Sequence, residues 1–345
     1  MDTIQNLYKI YPEIPWKELN NKKILITGAS GMIGSTLICM IMGYNREKNA
    51  GIQITGISRN RETATSQLGK VMEMPGFSYV SADINEPLED MGYFDYIIHC
   101  ASNTHPRQYS SDPIGTIMTN VLGTKNLLDY GVKYGVGRFV FLSSVEVYGE
   151  NRGDVDVFAE NYLGYIDCNT LRSGYPEGKR LGESMCNAYA KQKGIDFVIP
   201  RLSRVYGPAL LGTDSKAISQ FIHKAALGED IVLKSKGNQL YSYTYSEDAA
   251  AAVLMVMLKG VSGEAYNVSD AKSALTLAEL AQILADIAGT KVVFELPDEV
   301  EKAGYSIATK AVLDATKLET LGWKTKVHMQ EGLERTIRNI LGENG

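Results

Sequence analysis

Histidine and cysteine are scarce in this chain, four of each in 345 residues, and neither is clustered. Cys39, Cys100, Cys168 and Cys186 show no Cys-x-x-Cys spacing, and the histidines show no ligand-like spacing, so no structural metal is expected. Cys39 and Cys100 lie in apolar runs, which fits reduced thiols in a cytoplasmic protein better than a disulfide framework. No apolar run approaches the roughly 20 residues of a membrane-spanning helix. The first residues, Met1-Asp2-Thr3-Ile4-Gln5, lack the basic start and apolar run of a secretory signal. No basic tract stands out either: 35 Lys and Arg are interspersed among 40 Asp and Glu, for a net charge of -5. Nucleic acid and anionic membrane are therefore not expected as principal partners. Internal repeats and low-complexity linkers are absent.

What is present is a chain with 44% hydrophobic residues, enough to bury a large core. Its most informative stretch is Ser173-Gly-Tyr-Pro-Glu-Gly-Lys-Arg-Leu-Gly-Glu183, in which Tyr175 precedes Lys179 by four residues. Leu181, Met185, Ala188 and Tyr189 continue a helical period, so Tyr175 and Lys179 share one helix face, a turn apart. An ammonium so placed favours the phenolate and is expected to lower the phenol from its ordinary pKa of about 10. Such a tyrosine can take a proton from an alcohol while a hydride leaves the same carbon. By itself Tyr-x-x-x-Lys also fits a half-buried tyrosine beside a solvated lysine. Two upstream features favour the chemical reading.

The first is Ile24-Leu25-Ile26-Thr27, an apolar strand, followed by Gly28-Ala29-Ser30-Gly31-Met32-Ile33-Gly34 and a helix pattern through Leu37, Ile38 and Ile41. Strand, glycine turn and helix make a dinucleotide site: Gly28 for the turn, Gly31 for approach of the pyrophosphate, Gly34 for helix packing. Residues 1–21 ahead of it read as a short arm, with Pro12, Pro15 and Trp16 packing it down. A second strand, Ile52 to Ser58, ends in Ser58-Arg59-Asn60-Arg61, without the acid that commonly receives an NAD ribose. Arg59 facing a 2′-phosphate favours NADP over NAD; the alternatives are that it stacks on the adenine or faces water. Asp83 and Ile84, after a third strand (Phe77 to Ser81), are candidates for the adenine edge.

The second feature is the end of the fifth strand. Tyr96 to Cys100 is a fourth strand ending at Ala101 and Ser102, with a polar loop from Asn103 to Asp112 and then a helix from about Pro113 to Tyr134. Phe139 to Leu142 then delivers Ser143-Ser144-Val145-Glu146-Val147-Tyr148-Gly149. Alternating strands and helices specify an α/β fold with a doubly wound parallel sheet, whose ligands sit at the strand carboxyl ends. Ser144 therefore lies on the cofactor side. Strand alternation would turn Ser144 and Glu146 the same way, making Glu146 a candidate for a second proton transfer or else a structural carboxylate. Beyond Arg201 the expected elements are a helix (Ile218 to Leu227), two strands (Ile231 to Lys234, Tyr241 to Thr244) and three helices (Ser246 to Leu258, about Thr276–Ala288, Met329–Leu341).

These motifs, together with Asn120-Val121-Leu122-Gly123-Thr124 and Arg201-Leu-Ser-Arg-Val-Tyr-Gly-Pro208, come in one order. In that order the chain, over roughly residues 22 to 340, resembles the extended short-chain dehydrogenase/reductase family, in its nucleotide-sugar epimerase, dehydratase and decarboxylase branch. Tyr175-Pro-Glu-Gly-Lys-Arg180 and Ser144-Val-Glu-Val-Tyr-Gly149 are most similar to segments of UDP-glucuronate decarboxylases (UDP-xylose synthases). The resemblance implies an NAD(P)-binding Rossmann domain over 1–203 and a smaller C-terminal substrate lobe over 204–345, with about 240–262 returning to the large domain. It implies an enzyme that is redox-neutral overall and works through a 4-keto sugar: Tyr175, Ser144 and Lys179 in the first oxidation, Glu146 in the second step. Cofactor contacts would come from Gly28, Ser30, Gly31, Met32, Ile33, Gly34, Arg59, Asp83, Ile84, Ala101, Ser102, Asn120, Tyr175 and Lys179. Substrate contacts would come from Asn103, Thr104, Arg204 and Tyr241. A homodimer through the Pro113–Tyr134 helix and the Tyr175 helix is also implied. The chain departs from the pattern at Arg204, where many relatives have Asn, at Tyr241, where decarboxylases have a phosphate-binding Arg, and at Ala303-Gly-Tyr-Ser306, which replaces basic residues. The alternative functions are a net NADP-dependent reductase or dehydrogenase of another alcohol and a catalytically silent dinucleotide sensor.

Overall fold

The computed structural model describes residues 6–104, 106–210, 212, 214–295 and 309–342. The segment Ala303-Gly-Tyr-Ser306 lies outside them. The chain opens with β1 (Lys23–Thr27), α1 (Met32–Lys48), β2 (Gln53–Ser58), α2 (Arg61–Leu68), β3 (Phe77–Ser81) and β4 (Phe94–His99). A short helix, α3 (Pro106–Ser111), stands where a polar loop is expected. It leads to α4 (Pro113–Tyr134), whose start is fixed by the Asp112 carboxylate accepting from the Gly115 amide and by proline in the first turn. Next come β5 (Val136–Phe141), the two-residue β6 (Ser143–Ser144), α5 (Gly174–Lys193) and β7 (Phe197–Leu202).

These strands and a late one, β11 (Ala265–Val268), form a parallel sheet in the order β3-β2-β1-β4-β5-β7-β11, with β6 paired to β7. Alternate side chains of one strand enter different layers. Ile24 and Ile26 join a core formed with α1, whereas Leu25 joins the core formed with α4 and α5. Covering both faces is why these strands read as continuous apolar runs. The order reverses between β1 and β4, and a crevice opens outside their carboxyl ends.

After β7 come β8 (Arg204–Tyr206), α6 (Ala217–Ala226), β9 (Ile231–Leu233) and β10 (Leu240–Tyr245). Residues 240–245 run in a small sheet: β10 pairs with β8, with β12 (Ala274–Thr276) and with β14 (Lys310–Ala311). Between them, α7 (Ser246–Lys259) and β11 (Ala265–Val268) re-enter the large half, and β11 forms the edge of the large sheet. The lobe is completed by α8 (Leu277–Ala288), β13 (Val292–Phe294, paired with β9) and α10 (Met329–Ile340); α9 (Thr316–Glu319) lies against β11. Thr276 and Glu279 cap α8 reciprocally.

Helix α7 is buried all round from Ser246 to Met257, which its alanine-rich, nearly uncharged sequence permits. From residue 6 the N-terminal arm packs down on α1 and α7. Tyr8, Trp16 and Tyr44 form a ring cluster, and the Tyr11 hydroxyl donates to Asp248 Oδ1 at 2.9 Å.

Two carboxyls at the start of α7 carry a pH signature. Burial pushes Glu247 up to about 7 against the opposing charge of Arg335, and Glu247 Oε2 has no hydrogen-bond partner. Burial pushes Asp248 up to about 6 despite the amides of Val327 and Lys326 and the Tyr11 hydroxyl. A carboxyl whose folded pKa lies above its unfolded value keeps a proton that the unfolded chain releases. Its stabilising contribution is complete below about pH 4 and is lost as pH rises toward 7. Glu247→Gln should remove that loss, stabilising the protein at pH 8 relative to pH 5 by on the order of 1–3 kcal/mol. Thermal melts of both proteins across that range check this; a difference that does not change with pH would refute it.

Candidate active site

The cleft between the sheet end and the lobe has a volume of about 1450 Å³. On its floor Gly28 adopts φ 69°, and a Cβ there would lie 2.8 Å from the Ala101 amide nitrogen, so β1 and β4 close together only around glycine. A Cβ on Gly34 would strike the Gly28 carbonyl, which seats α1 directly on the turn. Gly31 caps α1 without a side-chain bond, so the first amides of the helix, from Met32 onward, have no capping acceptor, and its positive end faces the cleft. Bare amides at a helix start beside a left-handed glycine fit a dinucleotide pyrophosphate.

Ser30, Met32, Ile33, Arg59, Asp83 and Ile84 line this part of the cleft, with Ala101, Ser102, Asn103 and Thr104 opposite. Arg59 and Asp83 are exposed, and Ile84 is buried. Asn120 is not on the wall. It is buried beneath Gly178, accepts from the Ser102 hydroxyl at 2.9 Å and donates to the Thr116 carbonyl at 2.8 Å. From this buried position it holds the Ser102 hydroxyl from behind.

Tyr175, Lys179 and Ser144 converge on the cleft. Both side chains on α5 are almost fully buried. Lys179 Nζ donates to the Leu142 carbonyl at 2.9 Å and lies 4.9 Å from the centre of the Phe141 ring. Burial lowers the Lys179 ammonium to about 8. Burial also raises the Tyr175 phenol to about 12, with a Ser144 hydrogen bond acting in the opposite direction. The expected lowering of the phenol by Lys179 is therefore absent. Desolvation dominates both groups, and the ammonium is turned to a backbone carbonyl.

Glu146 is also placed differently from the expectation. Residues Val145–Tyr148 form a 3-10 turn rather than a strand, and the Glu146 amide donates to Ser144 Oγ at 3.3 Å. The Glu146 carboxylate lies between two guanidinium groups, 3.0 Å from Arg172 Nη2 and 3.7 Å from Arg204 Nη2. Burial would push its carboxyl up, but Arg172 and then Arg204 outweigh that and hold it below the usual range. Arg204 in turn lies flat on Tyr241, its Cζ 3.3 Å from the ring centre. Two of the three departures from the family pattern, Arg204 and Tyr241, are thus one stacked pair. Sequence reading passed over Arg172, and also Tyr109, which stacks on Tyr175 at 5.1 Å between ring centres and carries Arg172 over its ring at 4.6 Å. An arginine three residues ahead of Tyr175 was the available signal.

Beneath the site, Arg201 and Glu183 form a mostly buried two-pronged pair at 2.9 and 2.6 Å. Glu183 also accepts from Ser143 Oγ at 2.6 Å, and Arg201 donates to the Tyr148 hydroxyl and the Glu160 carbonyl.

Residues 24–269 match the model of the NAD dependent epimerase/dehydratase family. The chain belongs to that family. Among similar proteins, UDP-glucuronic acid decarboxylase 6 of Arabidopsis thaliana is 32% identical over 94% of this chain and 91% of its own length. UDP-glucuronic acid decarboxylase 1 of Xenopus tropicalis is 30% identical over 97% of this chain and 77% of its own length. A crystal structure of a dTDP-glucose 4,6-dehydratase from Streptomyces venezuelae, with NAD bound, superposes with a TM-score of 0.79. It is 26% identical, over 93% of this chain and 97% of that one. The chain is thus an extended short-chain dehydrogenase/reductase of the nucleotide-sugar-modifying branch, an NAD(P)-dependent enzyme. Among the described residues no helix is long and apolar enough to cross a membrane.

Proposed function

We propose that Tyr175, Ser144 and Lys179 carry the oxidation of a nucleotide sugar to its 4-keto form, the first half of a redox-neutral decarboxylation, epimerisation or dehydration. The observation that carries this reading is the convergence of Tyr175, its Ser144 hydrogen bond and buried Lys179 at the end of β5, facing the cleft. Gly28, Ser30, Gly31, Met32, Ile33 and Gly34 would hold the dinucleotide, which supplies the hydride acceptor when bound. Tyr175 takes the proton of the sugar 4-hydroxyl, Ser144 stabilises the phenolate oxygen by donating to it, and Lys179 anchors the ribose side. Asn103, Thr104, Arg204 and Tyr241 line the substrate side. Glu146 serves the second step, since a ketone at C4 acidifies C5 and makes a C5 carboxylate a good leaving group.

Mass spectrometry after incubation with UDP-, GDP-, CDP- and dTDP-sugars tests this. Loss of carbon dioxide, loss of water, or an epimer of unchanged mass identifies the branch, and the decarboxylase relatives make a UDP-sugar acid the first substrate to try. Tyr175→Phe should abolish conversion, and any reduced-nicotinamide absorbance, while leaving cofactor bound; conversion by this variant, or stoichiometric consumption of NADPH, would overturn the reading.

Arg59, exposed on the cleft wall, supports NADP as the cofactor. A guanidinium on a 2′-phosphate contributes about 1.5–3 kcal/mol, so Arg59→Asp should shift preference toward NAD by tenfold or more. Wild-type protein that copurifies with NAD and ignores NADP would remove this reading.

A homodimer through α4 and α5 is supported by Ile114, Ile117, Met118 and Leu181, large apolar side chains exposed on those helices. Four free cysteines support a reducing, cytoplasmic setting. Light scattering should give twice the chain mass of 37.9 kDa; a monomer mass would refute the pairing.

A further inference from the structure

Six side chains form a continuous row across the base of the cleft: Tyr175, Tyr109, Arg172, Glu146, Arg204 and Tyr241. They come from α5, α3, the turn before α5, the turn after β6, β8 and β10. The contacts alternate in kind, ring on ring, guanidinium on ring, guanidinium to carboxylate, and then the same in reverse to Tyr241. We propose that Tyr109 and Arg172 are positioning residues for the reaction: Tyr109 holds the ring of Tyr175 by its face, and Arg172 ties the Glu146 carboxylate to the same stack. The proposal rests on the reading of Tyr175 and Glu146 as the reacting groups.

Tyr109 is 5% exposed, and its ring lies within 23° of parallel to that of Tyr175. With one face covered, the Tyr175 ring cannot tilt out of line, and its hydroxyl stays at Ser144. Misplacement of a reacting group by about 1 Å can cost on the order of 10²-fold in rate. Arg172 lies over the Tyr109 ring and places one nitrogen against Glu146. Its Nε and Nη1, and Nη1 of Arg204, are buried without hydrogen-bond partners. Leaving a buried donor unpaired is costly. Each of these two guanidinium groups lies over a tyrosine ring and turns one nitrogen toward the same carboxylate. The charged and titratable groups facing Glu146 are Arg172 and Arg204, with Tyr175 and Tyr109 behind Arg172 and Asp214 beyond Tyr109. Removing Arg172 leaves a buried carboxyl with the more distant Arg204 alone, so the carboxyl should bind its proton more tightly.

The experiment has a kinetic arm and an arm independent of turnover. In the first, Tyr109→Leu should lower kcat by about 10- to 100-fold with KM within about twofold, and Tyr109→Phe, which keeps the stack, should stay near wild type. In the second, carbon-13 NMR of glutamate carboxyls, with Glu146 assigned by Glu146→Gln, tracks its titration in the wild type, Arg172→Gln and Arg172→Lys. Glu146 should titrate at higher pH in Arg172→Gln and return toward the wild-type value in Arg172→Lys, and the acid limb of kcat should move with it. Equal losses in the two Tyr109 variants would overturn the role of Tyr109. An unmoved Glu146 titration in Arg172→Gln would overturn that of Arg172; should that variant not fold, an acid limb in Arg172→Lys displaced as far as one full pH unit would do so. Wild-type protein inactive on every nucleotide sugar would sink the function above, and the NMR titration would still decide whether Arg172 governs Glu146.

Discussion

The pair between Arg201 and Glu183 holds the site together. Tyr175, Lys179 and Glu183 stand four residues apart on one stripe of a helix, and each engages a different level of the strand end beside it. Tyr175 meets Ser144, Lys179 meets the Leu142 carbonyl, and Glu183 meets the Ser143 hydroxyl and the Arg201 guanidinium. The lowest rung is ionic and mostly buried, 14% and 13% exposed. Removing one partner of such a pair typically costs about 3–5 kcal/mol, because the other charge stays behind in a poor solvent. The rung thus sets the roll of the whole helix, and the two rungs above inherit their position from it. Arg201 extends the same tie through Tyr148 to Asn267, at the edge of the large sheet.

Above that rung the cleft has two electrostatic halves. On the Tyr175 and Lys179 side burial dominates, driving phenol and ammonium alike toward their neutral forms. On the Glu146 side three charges neutralise one another in part, and the carboxylate is kept ionised. In one half the groups are driven toward neutrality, whereas in the other the charge is fixed in place. Tyr109 lies where they meet, its ring stacked on Tyr175 and beneath the Arg172 guanidinium, and Glu146 and Arg172 both act on the Tyr175 phenol.

Local pattern made much of this legible. The strand Ile24 to Thr27, the turn at Gly28 and the helix beyond are consecutive in sequence, so spacing alone specified them, and Tyr175 with Lys179 needed only a helical period. The features that escaped the sequence are those that depend on distant segments. Tyr109 and Arg172 stand far apart in the chain, in no periodic setting, and only the folded chain stacks them. Glu146 was read on strand alternation, which fails because the chain tightens into a turn at Val145. Asn120 is expected at the ligand from its motif, and the fold buries it behind Ser102 and Thr116. At Tyr175 the proximity of Lys179 suggests a lowered phenol, but the burial that brings the two together raises it instead.

The path of the chain after Leu202 has a consequence for how such a protein can change. It leaves the large sheet, returns through α7 and β11, leaves again into β12 and α8, comes back to place Leu318 and Trp323 in the large core, and ends in the lobe with α10. Neither half is a contiguous stretch, so recombination cannot exchange one lobe for another as a module. New specificity has to arise by substitution in place, one side chain answering another across the small sheet, and the stacked Arg204 and Tyr241 have the form that such an exchange would leave.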